Sequence, residues 1–259
     1  MADPMHQFQI HKVVDLPTVN LPGLGVVDLS ITNSVVSMGL AAGLICVFFA
    51  LAARQAVVPG RLQSVGEMLY GLVDDLAGSI IGHEGKVFFP FVFTLFSFIL
   101  AMNFLGMFLV FTATSQLAVT VTLAMLTILT VVVVGFARNG FGFFKLFVPS
   151  GVPAFLLILM VPIEIISFLV RPVTLALRLF GNMIGGHVVL KIFAGFIISL
   201  GLLATGGGIA SLGILGSVVS LGSVVALTAL EFIVAFLQAF VFAALTCVYL
   251  NDVVNLHSH

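Results

Sequence analysis

Apolar positions along this chain fall into long uninterrupted runs rather than the short alternating patches of a soluble domain. Residues 33–53, 87–111 and 117–137 each lack a charged side chain. Each is long enough to cross a bilayer, for which about 20 apolar residues suffice. Residues 61–82 follow another pattern. Leu62, Val65, Leu69, Leu72, Leu76 and Ile80 recur at steps of three and four, with Glu67, Asp74 and Asp75 between them. That spacing predicts an amphipathic helix lying at the membrane interface or on a partner. Glu67 and Asp74 share a face of it, read most simply as a solvated one. Residues 1–32, with Asp3, Asp15, Asp28, Pro4, Pro17 and Pro22, predict an irregular or short-helical segment outside the bilayer.

The last two runs are too long to stand upright. Residues 155–203 as a helix would extend about 73 Å, and residues 215–250 about 54 Å, against a hydrocarbon core of about 30 Å. Pro162 and Pro172 can kink the first without ending it. Fitting the second into the core requires a lean of roughly 55°, beyond the usual range of about 0–40°. Two long, steeply tilted helices forming a hairpin satisfy both lengths, with Gly206-Gly-Gly208 as the turn signal. Ser217, Ser220, Gly222, Ser223, Ala226 and Ala229 allow close approach along the second arm. The fold class expected is therefore an all-α integral membrane protein. It has five membrane segments and one interfacial helix in a single membrane domain, residues 1–259.

Composition excludes the alternatives. The chain is 61% hydrophobic and 7% charged, whereas soluble domains carry about 25% charged residues. So few charges cannot cover a soluble surface. A net charge of −1 with no basic run excludes a nucleic-acid partner. Cys46 and Cys247 sit in separate apolar runs and read as buried, unpaired thiols. No metal set, nucleophile–base pair or phosphate loop is present, so no metal, no cofactor and no enzymatic centre of the chain's own are expected.

Charge also orients the chain. Arg54, Arg61 and Lys86 flank the first connection, and Arg138 and Lys145 the third, while residues 112–116 carry no charge. Basic loops stay on the cytoplasmic side. The N-terminus is then outside and the C-terminus cytoplasmic. The first residues show neither a cleavable signal nor a transit peptide, which favours a bacterial inner membrane over a mitochondrial one.

Six ionisable groups lie within the hairpin: Glu164, Arg171, Arg178, His187, Lys191 and Glu231. Such residues are costly in a bilayer and mark functional sites. Steps of seven rotate a helix by only about −20°, so Glu164, Arg171 and Arg178 share a face, with Asn182 close to it. His187, nine beyond Arg178, points about 180° away. Glu231 and Gln238 share a face of the second arm. Arg178 keeps its proton at every accessible pH, so it is a fixed positive charge rather than a proton carrier. Glu164 lies about 21 Å along the helix from it, which leaves a partner chain as the source of its counter-charge. His187 and Glu231, each roughly 20 residues from the turn, can meet at one depth and relay protons. A helix–helix hydrogen bond is the plainer reading of Asn103, and snorkelling that of Arg171 and Lys191.

The blocks Leu177-Arg178-Leu-Phe-Gly-Asn182-Met, Leu237-Gln238-Ala-Phe-Val-Phe242 with Leu245-Thr-Cys-Val-Tyr-Leu250, and Ala101-Met-Asn103-Phe-Leu-Gly resemble subunit a of the F-type ATP synthase, the stator proton-channel subunit. The resemblance runs along most of residues 30–252. It implies that Arg178 faces the carboxylates of a rotating ring of c subunits and keeps two half-channels apart. It implies that His187 and Glu231 belong to the inlet half-channel, in an order exchanged relative to some members, which preserves a His/Glu pair. Asn182 and Gln238 match the polar lining around the arginine, and Glu164 an acid near the cytoplasmic exit. Where some members carry a carboxylate three residues after Asn103, this chain has Gly106. The implied partners are the c-ring, peripheral-stalk b-type subunits, lipid and protons. Two rival readings are a stand-alone secondary transporter with a midplane Arg site and a purely structural membrane subunit.

Overall fold

The apolar runs are helical because a backbone in lipid must satisfy its own hydrogen bonds. The computed structural model describes residues 10–15, 19–21, 25–27, 30–53, 60–108, 112–148, 154–204 and 212–255. The expected glycine turn, Arg54 and the prolines at 149 and 153 lie outside the described residues. Six helices follow in order: α1 Asn33–Ala52, α2 Arg61–Ile81, α3 Gly85–Phe108, α4 Leu117–Asn139, α5 Ala154–Ala204 and α6 Leu212–Val254. Short 3-10 turns occupy Gly82–Glu84, Ala113–Ser115 and Gly140–Phe147. Among the described residues, five helical runs are long and apolar enough to cross a membrane: Asn33–Ala52, Arg61–Phe108, Leu117–Phe147, Phe155–Leu203 and Gly213–Val254. The chain is an all-α, multi-pass membrane protein.

Among the described residues of 1–32, short strand pairs replace the short helix offered as one expectation. Strand β1 (Lys12–Val14) pairs antiparallel with β4 (Ile31–Thr32), and β2 (Val19–Leu21) with β3 (Gly25–Val27). β-branched Val and Ile favour these extended pairs, and prolines at 17 and 22 oppose a helix.

The core lies where α3 and α6 meet. Val92, Phe96, Ile99 and Asn103 on α3 are inaccessible, as are Ala235, Ala239, Phe242, Ala243, Cys247 and Leu250 on α6. Alanines at steps of four let α6 approach its neighbours closely. Asn103 Nδ2 donates to Ala235 O at 3.1 Å, the helix–helix hydrogen bond expected of it. On α2 the buried stripe is Gly66, Val73, Ala77 and Ile81, shifted from the predicted one, so that Leu62 and Val65 are exposed. Cys247 is buried as expected, but Cys46 is exposed on the outer face of α1.

At one end the helix termini cap one another. Asn139 Nδ2 donates to Val253 O at 2.7 Å, and Asn255 Nδ2 to Ile81 O at 3.2 Å. Both carbonyls belong to last turns, where no intrahelical donor exists. Gly135 carries no Cβ because Phe143 and Val253 occupy that space. Arg138 pairs with Glu84 at 2.8 Å across the same end.

Candidate functional site

The helices α5 and α6 run antiparallel, and their contacts pair in sequence. Leu200 meets Gly216, His187 meets Glu231 and Arg171 meets Asp252. The buried apolar side of α5 carries Phe168, Leu175, Ala176, Leu179 and Met183. Arg178, Asn182 and Gly185 recur at steps of three and four on the other side and are exposed.

Three polar zones follow one another along the hairpin. The first gathers around His187. Its Nδ1 lies 3.5 Å from Glu231 Oε1, and its Nε2 lies 3.0 Å from Thr112 Oγ1. Glu231 is 6% exposed, and its Oε1 has no hydrogen-bond partner among the described residues. The two descriptions agree, since 3.5 Å is an ion-pair distance longer than a good hydrogen bond. Gly186 makes room for this carboxylate: a Cβ there would stand 2.8 Å from Glu231 Oε1. A groove of about 290 Å³, lined by Gly181, Asn182, Gly185, Gly186 and Glu231 among others, opens from the pair toward the exposed side of α5. Glu231 thus touches His187 on one side and borders this groove on the other.

The second zone is Arg178. It makes no ion pair among the described residues, and its side chain is exposed on the same side of α5 as Asn182. Gln238 is half-buried on α6. It lies between Glu231 and Asp252, as Arg178 lies between His187 and Arg171.

The third zone is Arg171. It reaches Asp252 Oδ2 at 3.0 Å and Glu164 Oε1 at 3.5 Å, with its guanidinium 5.0 Å from the Tyr249 ring centre. The seven-residue step that put Glu164 and Arg171 on one face is thus realised as a contact. Arg171 is not a free snorkelling cation but a paired one. Thr112 and Asp252 escaped sequence reasoning. Asp252 stands just beyond the apolar run that ends at residue 250, and Thr112 borders a connection that carries no charge. Hairpin register could have found Asp252, since it falls opposite Arg171.

The outer zones lie toward opposite ends of the bundle. Thr112 follows the last turn of α3, and Glu84, paired with Arg138, precedes its first residue. Asp252 belongs to the Arg138 end, because Asn139 bonds the neighbouring Val253 carbonyl. Arg178 is thus an exposed arginine between two separated ionisable zones of a multi-pass membrane protein. The comparisons make the class specific. The sequence pattern describing the ATP synthase A chain matches residues 35–251. ATP synthase subunit a of Hyphomonas neptunium is 52% identical over 99% of this chain and 98% of its own length. That of Maricaulis maris is 52% identical over 98% and 99%, and that of Allorhizobium ampelinum 50% over 99% of each. The chain belongs to the ATP synthase subunit a family.

Proposed function

We propose that this chain is the proton-translocating stator subunit of a membrane Fo sector, with no catalytic centre of its own. The observation that carries the proposal is the exposure of Arg178, without a counter-ion among the described residues, between two ionisable zones near opposite ends of the bundle. The tilt of the long hairpin, required by helices of 51 and 43 residues against a core of about 30 Å, gives each arm a long strip to lay against a ring of c subunits. The N-terminus lies outside and the C-terminus on the cytoplasmic side of a bacterial inner membrane, since the basic loops cluster at the Arg138 end. Residues 33–53, 87–111 and 117–137 cross the bilayer, residues 61–82 lie at its surface, and peripheral-stalk b-type subunits complete the stator.

Protons enter from outside through His187 and Glu231, and pass by the groove lined by Asn182 to a ring carboxylate, with Gln238 beside the path. The neutralised carboxylate rotates into lipid. A carboxylate arriving from the other direction meets Arg178, whose charge favours the ionised form, and its proton leaves past Glu164 to the cytoplasm. The transmembrane potential supplies about 2.3 kcal/mol per proton per 100 mV. Arg178 never titrates.

The pair is tested by exchange. His187→Glu combined with Glu231→His should restore more proton-driven ATP synthesis than either single change, and a double variant no better than the singles refutes the contact's role. Reconstitution tests the subunit assignment: proton flux should need a c-ring, whereas substrate flux through the chain alone would favour a transporter.

A further inference from the structure

We infer that Thr112 fixes the tautomer of His187, so that Nδ1 is the atom that exchanges a proton with Glu231. The inference rests on the proton path proposed above and deepens it. Thr112 Oγ1 lies 3.0 Å from Gly106 O and 3.0 Å from His187 Nε2. Gly106 belongs to the last turn of α3, where a carbonyl has no intrahelical donor. A carbonyl can only accept, and a hydroxyl has one proton. Both contacts are satisfied together only when Thr112 donates to Gly106 O and turns a lone pair to His187.

His187 Nε2 then carries the hydrogen. A neutral imidazole has a single N–H, so Nδ1 is bare, and Nδ1 is the nitrogen 3.5 Å from Glu231 Oε1. A proton arriving on Glu231 can cross to Nδ1: the O–H bond breaks as the N–H bond forms, leaving carboxylate and imidazolium. The reverse transfer returns it. With the other tautomer, Nδ1–H would face a protonated carboxyl, and the transfer would have no acceptor. Thr112 is 3% exposed, so water does not compete for its hydroxyl. Gly106 keeps it seated, because a Cβ at that position would press on the Thr112 side chain. The ionisable groups facing His187 include Glu231 on α6 and Lys191 on α5. Thr112, from the α3–α4 connection, is a neutral positioning residue.

The test compares Thr112→Val, Thr112→Ser and His187→Gln in membrane vesicles holding the complete ATP synthase, reading ATP-driven proton pumping across a pH series. Thr112→Val should slow pumping at least about tenfold, a small part of the cost of a wrong tautomer elsewhere, and change the pH profile. Thr112→Ser, which keeps the hydroxyl, should retain most of the flux. In the His187→Gln background Thr112→Val should add nothing. Normal pumping by Thr112→Val, or an equal loss in Thr112→Ser with the subunit assembled, overturns the inference. An unaffected His187→Gln variant overturns instead the proton path on which it rests. Should Thr112→Val fail to assemble, nitrogen-15 spectra of the histidine-labelled complex decide. The signal lost in His187→Gln must be that of an Nε2–H imidazole when neutral, and an Nδ1–H signal refutes the inference.

Discussion

Arg171 and Arg178 stand seven residues apart on one helix, and the chain treats them oppositely. Arg171 has two carboxylates and an aromatic face from its own chain. Arg178 has no ion pair among the described residues. Both charges cost free energy in a low-dielectric setting, and each must be compensated. For Arg171 the compensation is internal, which makes it a fastening between α5 and α6. For Arg178 no compensating carboxylate stands among the described residues, which fits its proposed role facing a partner chain. Composition and position hardly distinguish the two; the acids placed beside Arg171, Glu164 on its own helix and Asp252 on the opposing one, do.

Replacing each arginine breaks the comparison most directly. Arg178→Ala should abolish proton-driven ATP synthesis in membrane vesicles while the subunit still assembles. Normal ATP-driven pumping by that variant would remove Arg178 from the site. Arg171→Ala should act on stability instead. It leaves Asp252 and Glu164 without their cation, a loss of roughly 1–3 kcal/mol, read as a lower melting temperature of the detergent-solubilised complex. Asp252→Asn should offset part of that loss, and equal losses in the single and double variants would show that the pair fastens nothing.

A subtler contrast separates the inner and outer sides of α5. Gly186→Ala sets a methyl 2.8 Å from Glu231 Oε1 and should reduce proton flux severalfold by displacing the carboxylate. Gly185 has nothing within 4 Å of its Cβ position. It borders the groove beside Glu231, so Gly185→Leu should reduce flux by filling that groove rather than by moving the carboxylate. Unchanged flux would take the groove off the proton path. The smallest effect concerns the exposed Arg138–Glu84 pair. Arg138 donates to the Glu84 carboxyl and holds it below its ordinary value of 4.5. A depressed carboxylate stabilises the fold above its unfolded pKa, and the contribution fades as pH falls through the folded value. The melting difference between wild type and Glu84→Gln should therefore shrink on acidification from pH 7, and a constant difference would show that the pair is not its origin.

Much of the fold was legible because lipid leaves the backbone few choices. Helix ends at Asn33, Arg61 and Leu117 follow from where apolar runs begin. The meeting of His187 with Glu231 followed from hairpin register and helical phase, and the Glu164–Arg171 contact from a seven-residue step. The N-terminal strand pairs were not legible, since two- and three-residue strands leave too little periodicity to read. On α2 the leucines suggested a stripe one position away from the buried one, because close packing there selects Gly66 and Ala77 rather than bulk. Thr112 was hidden for another reason. A neutral hydroxyl in a polar connection attracts no notice until the fold brings it to a histidine 75 residues away.

The interlocked ends of α2, α4 and α6 carry a consequence for how the molecule is made. The end of α2 waits for the Asn255 side chain, and Asn139 waits for the Val253 carbonyl. At roughly 5–20 residues per second, the ribosome finishes α2 many seconds before its terminal donor exists. The early helices therefore enter the membrane as an open assembly, and Val253 and Asn255 of the last-made helix act as its latch. Replacing Asn255, or ending α6 before Val253, interferes with closure of the bundle.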